Sequence, residues 1–345
     1  MSTPRALAIL TLSSSLALLA LACGDDGSAP TATDAPSSSG AATTDDKSTT
    51  AADTTGAATD TPTSTSMDTG TDAATTGDDP GDGVVVVPGF MTPESVYWEP
   101  EGQRWYVSNI VGALGAKDGM GWISQLDADG TLLAAQWVAG LDTPAGLRAH
   151  AGALFVADID RLHVIDIASA TITDTIAIPG AMFLNDVTVD GAGAVYVSDT
   201  ATHTIHRVKP GEAPEVVVQD PGLQAPNGLF VLGEQLVIAS IGSTGADDIV
   251  APMFKLDLAG AAFSQFGALT GKFDGVEQDG DDLLVTDFRG QLHRVGPTGE
   301  STLIRDFAAT DGLMSSADLG FDPVARIVGV PDLAGGQIAF WRLPD

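Results

Sequence analysis

Four oxygen-bearing side chains stand at the same place in a short pattern that recurs along the chain. In this pattern a turn-like residue and one variable residue precede an apolar run, and the four variable residues are Glu94, Asn185, Asn227 and Asp274. Carboxylate and amide oxygens are the ligands that Ca²⁺ prefers, and they suit Mg²⁺ or Mn²⁺ less well. If the fold brings these side chains together, they would form a site for one divalent cation.

The pattern occurs six times, with 51, 40, 42, 47 and 43 residues between successive variable positions. Ala145 and Ala317 occupy the two remaining positions, and their small side chains would leave coordination sites open for water or substrate. The six copies read Pro93-Glu94-Ser95-Val96, Pro144-Ala145-Gly146-Leu147, Leu184-Asn185-Asp186-Val187, Pro226-Asn227-Gly228-Leu229, Phe273-Asp274-Gly275-Val276 and Ser316-Ala317-Asp318-Leu319.

A second mark follows each variable residue after 13 to 15 residues, as an apolar strand that ends in a small or acidic residue, for example Leu284 to Asp287. A period of about 40 to 50 residues with four short strands is typical of a β-propeller blade. In the third repeat these strands are expected at Val187 to Asp190, Ala194 to Ser198, Thr204 to Val208 and Glu215 to Gln219. The sequence therefore predicts an all-β fold, a six-bladed β-propeller over residues 83–345.

The last repeat is one strand short before the chain ends. Val84 to Val87 are four β-branched residues that precede the first repeat. We expect this N-terminal strand to close the ring as the outer strand of the last blade, because closure leaves no sheet edge open. The inner strands of such a ring line a central tunnel, so the six variable positions would converge near its mouth.

A purely structural interpretation is available for each copy alone. Asn-Gly and Asp-Gly are ordinary turn dipeptides, and a single glutamate in a loop is commonly solvated. Two carboxylates brought together without a cation would repel each other and raise each other's pKa. The coincidence of four oxygen residues at one register therefore favours a metal site.

Four stretches carry a resemblance to known proteins: Glu94-Ser95-Val96-Tyr97-Trp98, Asn185-Asp186-Val187-Thr188-Val189-Asp190, Asn227-Gly228-Leu229 and Asp274-Gly275-Val276. Their register resembles that of the six-bladed calcium-dependent hydrolases of the gluconolactonase and regucalcin (senescence marker protein) family, which are related to diisopropylfluorophosphatase and the paraoxonases. The resemblance implies that one divalent cation, with Ca²⁺ as the expected ion, is held by Glu94, Asn185, Asn227 and Asp274. It also implies that Asp274 acts as general base or nucleophile in hydrolysis of a small-molecule ester, lactone or phosphoester.

Two features bear on the substrate and on the chemistry. In the sugar lactonases of this family an arginine two residues before the first metal-site asparagine holds the sugar acid, and this chain has Phe183 there. Phe183 is therefore predicted to contact a more apolar substrate. His163, His206 and His293 occupy similar strand positions and are expected on the blade surface rather than in catalysis. The chain has no Gly-x-Ser-x-Gly motif, which disfavours a serine hydrolase.

The N-terminal part predicts an exported lipoprotein. Residues 1–22 combine Arg5 with an apolar run and small residues, as a signal peptide does, and they lead to the only cysteine, Cys23, in a context that resembles a bacterial lipobox. Residues 23–82 are rich in Ser, Thr, Ala and Asp and are predicted to be a disordered tether. The lipidated Cys23 would be the only link to a membrane, in the periplasm or at the outer membrane of the cell envelope.

The charge of the chain limits its partners. It has 46 acidic and 15 basic residues and a formal net charge of −31. This charge disfavours binding to nucleic acid. We expect a monomer that takes a small-molecule substrate. Two other functions stay open: a non-catalytic, lipid-anchored propeller that binds a ligand or protein around a structural metal, and an interaction propeller without metal.

Overall fold

A computed structural model describes residues 83–243 and 248–344, and most of these residues lie in β-strands. The strands form six sheets of four antiparallel strands each. The predicted all-β, six-bladed propeller is confirmed. The predicted signal peptide, Cys23 and the tether lie outside the described residues. No helix in the described part of the chain is long and apolar enough to cross a membrane.

The first three blades follow one another along the chain. Blade 1 contains β2 (Pro93–Glu99), β3 (Arg104–Asn109), β4 (Gly121–Asp127) and β5 (Leu132–Leu141). Blade 2 contains β6 (Pro144–His150), β7 (Ala153–Asp158), β8 (Arg161–Asp166) and β9 (Thr171–Ala177). Blade 3 contains β10 (Leu184–Val189), β11 (Val195–Asp199), β12 (Thr204–Val208) and β13 (Glu215–Gln219).

Two short helices lie between the later blades. Blade 4 contains β14 (Pro226–Leu232), β15 (Gln235–Ser240), β16 (Ala251–Asp257) and β17 (Phe263–Gly271), and a 3₁₀ turn at Pro221–Leu223 precedes it. Blade 5 contains β18 (Phe273–Asp279), β19 (Asp282–Asp287), β20 (Gln291–Val295) and β21 (Ser301–Asp306), and α1 (Phe307–Thr310) follows it. Blade 6 contains β22 (Gly320–Asp322), β23 (Ile327–Asp332), β24 (Gln337–Arg342) and β1 (Val84–Pro88).

Blade 6 is built from both ends of the described chain. β1 pairs antiparallel with β24, with Val84 opposite Trp341 and Pro88 opposite Gln337. The predicted closure by the N-terminal strand is therefore confirmed. The ring is held by hydrogen bonds between strands that are distant in sequence, and β1 covers the edge that β24 would otherwise expose.

The hydrophobic core is divided among the seams of the ring. The buried apolar residues form six clusters, and each cluster joins two neighbouring blades. Trp105 of blade 1, for example, packs with its ring centroid 5.1 Å from that of Phe340 in blade 6. No blade has a core of its own, so each sheet buries its apolar faces only against its neighbours.

The antiparallel order gives the ring two distinct ends. Inner strands begin at one end, which we call the mouth end, and second strands finish there. The side chain that ends each second strand holds the loop that leads into the inner strand of the same blade. Asp158 accepts hydrogen bonds from the amides of Asp142 and Thr143, at 2.8 and 2.6 Å. Asp199 and Asp332 do the same in blades 3 and 6. The second sequence mark therefore fixes the loop that leads into each inner strand.

The expectation that three histidines lie on the blade surface is wrong. His163, His206 and His293 are all buried, and they are on the third strands of blades 2, 3 and 5. His163 Nε2 lies 3.2 Å from the Oδ2 of Asp158. The third strands are covered by the neighbouring blades, so these histidines pack behind the loop-holding carboxylates rather than against solvent.

Candidate functional site

The inner strands carry a β-bulge at the variable position. The pairing of first and second strands shifts register in blades 1 to 5, for example between Pro226 and Leu229 in β14. Hydroxyl groups of the second strand support the bulge, since the amides of Ser95 and Asp186 each donate to a serine Oγ at 2.9 Å. A bulge turns a side chain away from the strand's alternation. The short turn signal seen in the sequence therefore belongs to the inner strand itself.

The four oxygen residues that the sequence singled out are buried at this register in blades 1, 3, 4 and 5. Each has one oxygen without a hydrogen-bond partner, and among the described residues these are the only such buried side-chain oxygens: Glu94 Oε2, Asn185 Oδ1, Asn227 Oδ1 and Asp274 Oδ1. A buried acceptor without a partner costs about 1–3 kcal/mol. We call these four residues the tetrad, and its unpaired oxygens fit a bound cation.

The electrostatics of the tetrad also favour a bound cation. Burial raises the pKa of Glu94 well above its usual value, and the carboxylates of Asp274, Asp318 and Asp186 raise it further. Burial also raises the pKa of Asp274, Asp186 adds to the rise, and hydrogen bonding from the Asn227 amide opposes it. A divalent cation would favour the charged forms of both acids.

The donor set is poor in charge for a protein metal site. Within residues 83–243 and 248–344, no group of three or more His, Cys, Asp or Glu side chains is arranged to hold a metal ion. The tetrad has only two carboxylates and completes its oxygen set with two amide carbonyls. Such neutral and anionic oxygens together fit the hard cations Ca²⁺ and Mg²⁺ better than they fit zinc or copper.

A second layer of acids, which the sequence analysis missed, follows the variable position by one residue. Asp186 accepts hydrogen bonds from the amides of Val187 and Leu229, each at 2.6 Å, and so links blades 3 and 4. Asp318 accepts one from the Ser95 hydroxyl at 2.6 Å and so links blades 6 and 1. Burial raises the pKa of Asp186 to about 7. Counting one residue beyond each variable position would have found both acids.

A third layer crosses the tunnel, and its residues were not predicted from the sequence. Arg148 of blade 2 donates from Nη1 to the Oε1 of Glu277 in blade 5, at 2.7 Å. These two blades stand opposite each other in the ring, so the ion pair crosses the tunnel. The guanidinium lies 5.1 Å from the ring centroid of Tyr97 and 5.9 Å from that of Phe230. Both partners are three residues after a variable position, which is the signal that could have revealed them.

Phe183, which the sequence predicts to contact the substrate, lies on the loop that leads into β10. Its amide donates to Asp199 Oδ1 at 3.2 Å, and its carbonyl accepts from the Thr200 amide at 3.0 Å. Its side chain is partly exposed at the mouth end. The loop is thus held on both sides of Phe183, two residues before Asn185.

A groove of about 570 Å³ lies at the seam between blades 5 and 6, away from the tetrad. Three arginines line it, and each pairs with an aspartate: Arg294 and Arg326 with Asp279, and Arg305 with Asp311. The arginines therefore serve the seam between the blades. The tunnel mouth, where the unpaired oxygens lie, remains the better candidate for a functional site.

No family model matches the chain, and no curated protein matches it in sequence. Solved structures do resemble it. A gluconolactonase from Xanthomonas campestris is 16% identical, with a TM-score of 0.60 over 76% of this chain and 90% of that one. A second structure assigned as a gluconolactonase is 15% identical, with a TM-score of 0.57 over 76% of this chain and 93% of that one. The chain shares the gluconolactonase fold.

The same fold also matches lyases. A virginiamycin B lyase from Staphylococcus aureus, in an inactive form with quinupristin, is 12% identical, with a TM-score of 0.52 over 76% of this chain and all of that one. The gluconolactonases and this lyase act differently on a similar scaffold. The gluconolactonase fold alone therefore does not decide the chemistry, which has to be argued from the tetrad.

Proposed function

We propose that the chain is a hydrolase, dependent on a divalent cation, of a lactone, ester or phosphoester. The single observation that carries the proposal is the tetrad, four buried and unpaired oxygens at one register of four blades. The tetrad would hold the cation, with Ca²⁺ as the preferred ion. Two alanines, Ala145 and Ala317, take the same register in blades 2 and 6 and place no donor on those sides of the axis.

A cation bound by the tetrad supplies Lewis-acid polarisation of a carbonyl or phosphoryl oxygen. Asp274 has the residue type for the proton or bond-forming step. As general base it takes a proton from water while the water oxygen bonds to the acyl carbon or phosphorus and the ester oxygen leaves with a proton. As nucleophile its own oxygen bonds to the acyl carbon or phosphorus, and the ester oxygen leaves and takes a proton from water. Water then hydrolyses the acyl- or phosphoryl-Asp274, which releases the acid and restores the carboxylate.

The neighbouring residues support this role for Asp274. The Asn227 amide hydrogen-bonds to it and orients the carboxylate. The inner strand that carries it is held by the Gly275 amide, which donates to Thr286 Oγ1 at 2.9 Å. Burial excludes water from the site except on its open side, and so strengthens every charge interaction there.

The deciding experiment is the substitution Asp274→Asn with a panel of lactones, aryl esters and phosphotriesters. We expect kcat/KM to fall by about 10²-fold or more, because a positioned acid–base group contributes at least this much. Asp174→Asn, an exposed aspartate on β9, is the matched control and should keep full activity. Full activity of Asp274→Asn on every compound that is cleaved would overturn the assignment.

Calcium titration of chelator-treated protein separates the other two functions. If Ca²⁺ raises the Tm but no compound of the panel is cleaved, the chain is a binding propeller with a structural metal. If isothermal titration finds no heat of Ca²⁺ binding, the metal-free interaction propeller is favoured. The hydrolase requires both binding and turnover.

We further propose that the chain works as a monomer in the bacterial cell envelope, attached through lipidated Cys23. The apolar run and the small residues before Cys23 support this placement. Metabolic labelling with palmitate tests it, because the label should enter the wild-type chain and not Cys23→Ala. Equal labelling of both chains would refute lipidation at this residue.

A further inference from the structure

Exposed methionines are gathered at the mouth end of the ring. Of the methionines in the described part of the chain, Met253 is fully buried, and the others are 49 to 70% exposed: Met91, Met120, Met182 and Met314. Met120 lies in the loop between β3 and β4, which is at the mouth end. The other three lie in the loops that lead into the inner strands of blades 1, 3 and 6.

Three of these methionines share one register. Met91, Met182 and Met314 each stand three residues before a variable position, those of Glu94, Asn185 and Ala317. Their amides donate to the residue that ends the second strand, namely to Asn109 at 3.0 Å, Asp199 at 2.8 Å and Asp332 at 3.1 Å. The backbone is thus fixed in the same way in three blades, while the side chain is left to solvent.

The two ends of the ring differ in their exposed apolar residues. Leu114 and Ile249 add to the methionines at the mouth end, at 38 and 52% exposure. At the far end, Val324 is the only large apolar residue that is exposed in the described turns. The remaining exposed apolar residues lie on outer strands. Grouped exposed apolar side chains mark a binding surface, and here the group lies at the end of the ring where the inner strands begin, which is the end that carries the tetrad.

We propose that Met91, Met182, Phe183 and Met314, which we call the collar, bind an apolar acyl or aryl group of the substrate. This inference rests on the proposed hydrolase function and names its substrate class. The collar residues precede the variable positions by two or three residues, so a chain held there would reach from the mouth toward the tetrad. Methionine side chains are unbranched and adapt to apolar groups of different shape.

The alternatives are a bilayer and a sugar acid. The charge of the chain, −31, disfavours an anionic sugar acid or an anionic membrane surface. The collar residues stand two or three residues before the register of the buried tetrad, and this favours a small molecule over a flat bilayer, because a bilayer surface would have no use for the tetrad oxygens. A neutral ester or lactone with an apolar chain satisfies both the collar and the tetrad.

The kinetic test uses p-nitrophenyl esters from acetate to octanoate. We expect kcat/KM to rise by up to about fourfold for each methylene that the collar buries. The variant Met91→Gln/Met182→Gln/Met314→Gln should lose this dependence on chain length. Val324→Gln, at the far end, is the matched control and should keep it. A triple variant with an unchanged dependence would overturn the collar.

A second measurement does not depend on turnover. Protein labelled with ¹³C in the methionine methyl groups is titrated with 2-decanone, which cannot be hydrolysed. We expect the signals of Met91, Met182 and Met314 to shift, with Met253 unchanged. Such shifts without turnover of any ester would refute the hydrolase and keep the collar as a binding site. No shift with 2-decanone, or a response only to phosphatidylcholine vesicles, would overturn the collar whatever the esterase assays show.

Discussion

Single carboxyl groups dominate the electrostatics of the tunnel. Five of them have a pKa raised by burial, and the layers that they form lie one below another: Glu94, Asp186, Asp274, Glu277 and Asp318. Arg148 is the cation that the tunnel supplies from its own side chains, and it pairs with Glu277. The tetrad acids have no such partner, so a bound divalent ion would supply the missing counter-charge.

The first prediction concerns the pH dependence of stability without calcium. Asp186 has an ordinary pKa of 3.8 and a pKa of about 7 in the folded chain. Between these values Asp186 keeps a proton in the folded chain that it has lost in the unfolded chain, so its contribution to stability is largest at low pH and falls as the pH rises toward 7. Guanidinium unfolding in the presence of a chelator, from about pH 4.5 to about pH 7.5, should show this fall.

His293 acts in the opposite direction, because burial lowers its pKa and its stabilisation grows as the pH rises. Carboxyls with a lowered pKa, such as Asp160 and Asp279, also act in this direction, but their contribution is largely complete above the ordinary pKa of a carboxyl group, so a net fall is still expected. Excess Ca²⁺ should reduce the fall, since the cation favours the charged acids. Stability that increases from about pH 4.5 to about pH 7.5 without calcium would contradict the raised pKa values.

At the scale of elements, the bulged inner strands bring neighbouring blades into backbone contact. A Cβ on Gly228 would overlap the carbonyl oxygen of Asp274 in the next blade. A residue without a side chain is required there because both groups in contact belong to the backbone. The close approach of β14 to β18 also places Asn227 beside Asp274.

Gly228→Ala is therefore expected to lower the free energy of unfolding by about 1–3 kcal/mol, the usual cost of overpacking. Gly191→Ala is the control, because Gly191 has open space around its Cα and an ordinary φ. That variant should change the free energy of unfolding by less than about 1 kcal/mol. Equal chemical-denaturation midpoints for the two variants would show that the blades can move apart freely.

Much of the arrangement of the strands could be predicted from the sequence. β12 and β13 have the bounds that were predicted, and β1 closes the ring as expected. The inner strand β10 instead begins at Leu184, three residues earlier than predicted. Turn residues usually lie outside strands, but here a bulge accommodates them within one. Propensity alone cannot distinguish these two cases, because only the pairing with the second strand decides between them.

The site was predictable only in part. The tetrad follows from one register shared by the six repeats, and the structure buries all four residues. Asp186 and Asp318 stand one residue after a variable position, and Arg148 and Glu277 stand three residues after one. The position could be counted, but the other repeats have different residue types there, so their chemistry could not be read from the repeat. Arg148 also contacts blades that are distant in sequence, and no local pattern predicts which acid on the far side of the ring it will meet.

At the scale of the whole molecule, the ion pair of Arg148 with Glu277 connects two opposite blades, whereas the core connects only neighbours. Both side chains are largely buried, at 13 and 12% exposure. Removal of one partner from a buried pair leaves an uncompensated charge, and this costs about 3–5 kcal/mol. Arg148→Met should lower the free energy of unfolding by this amount at neutral pH.

Two further variants test that prediction. Arg148→Met/Glu277→Leu should recover a large part of the loss, because neither partner of the pair is then left as an uncompensated charge. Lys117→Met removes the exposed pair with Asp160 and should cost less than about 1 kcal/mol. Guanidinium unfolding measures all three variants. An Arg148→Met protein as stable as Lys117→Met would show that the tunnel pair contributes little to the ring.

The same ion pair lies across the tunnel, with the aromatic rings of Tyr97 and Phe230 beside the guanidinium. Under the proposed function, substrate and product would both use the mouth end, and an apolar chain held by the collar would be present on both. The product would differ by the negative charge that an ester gains when it becomes an acid. In a chain of net charge −31, that charge would favour release of the product from the mouth.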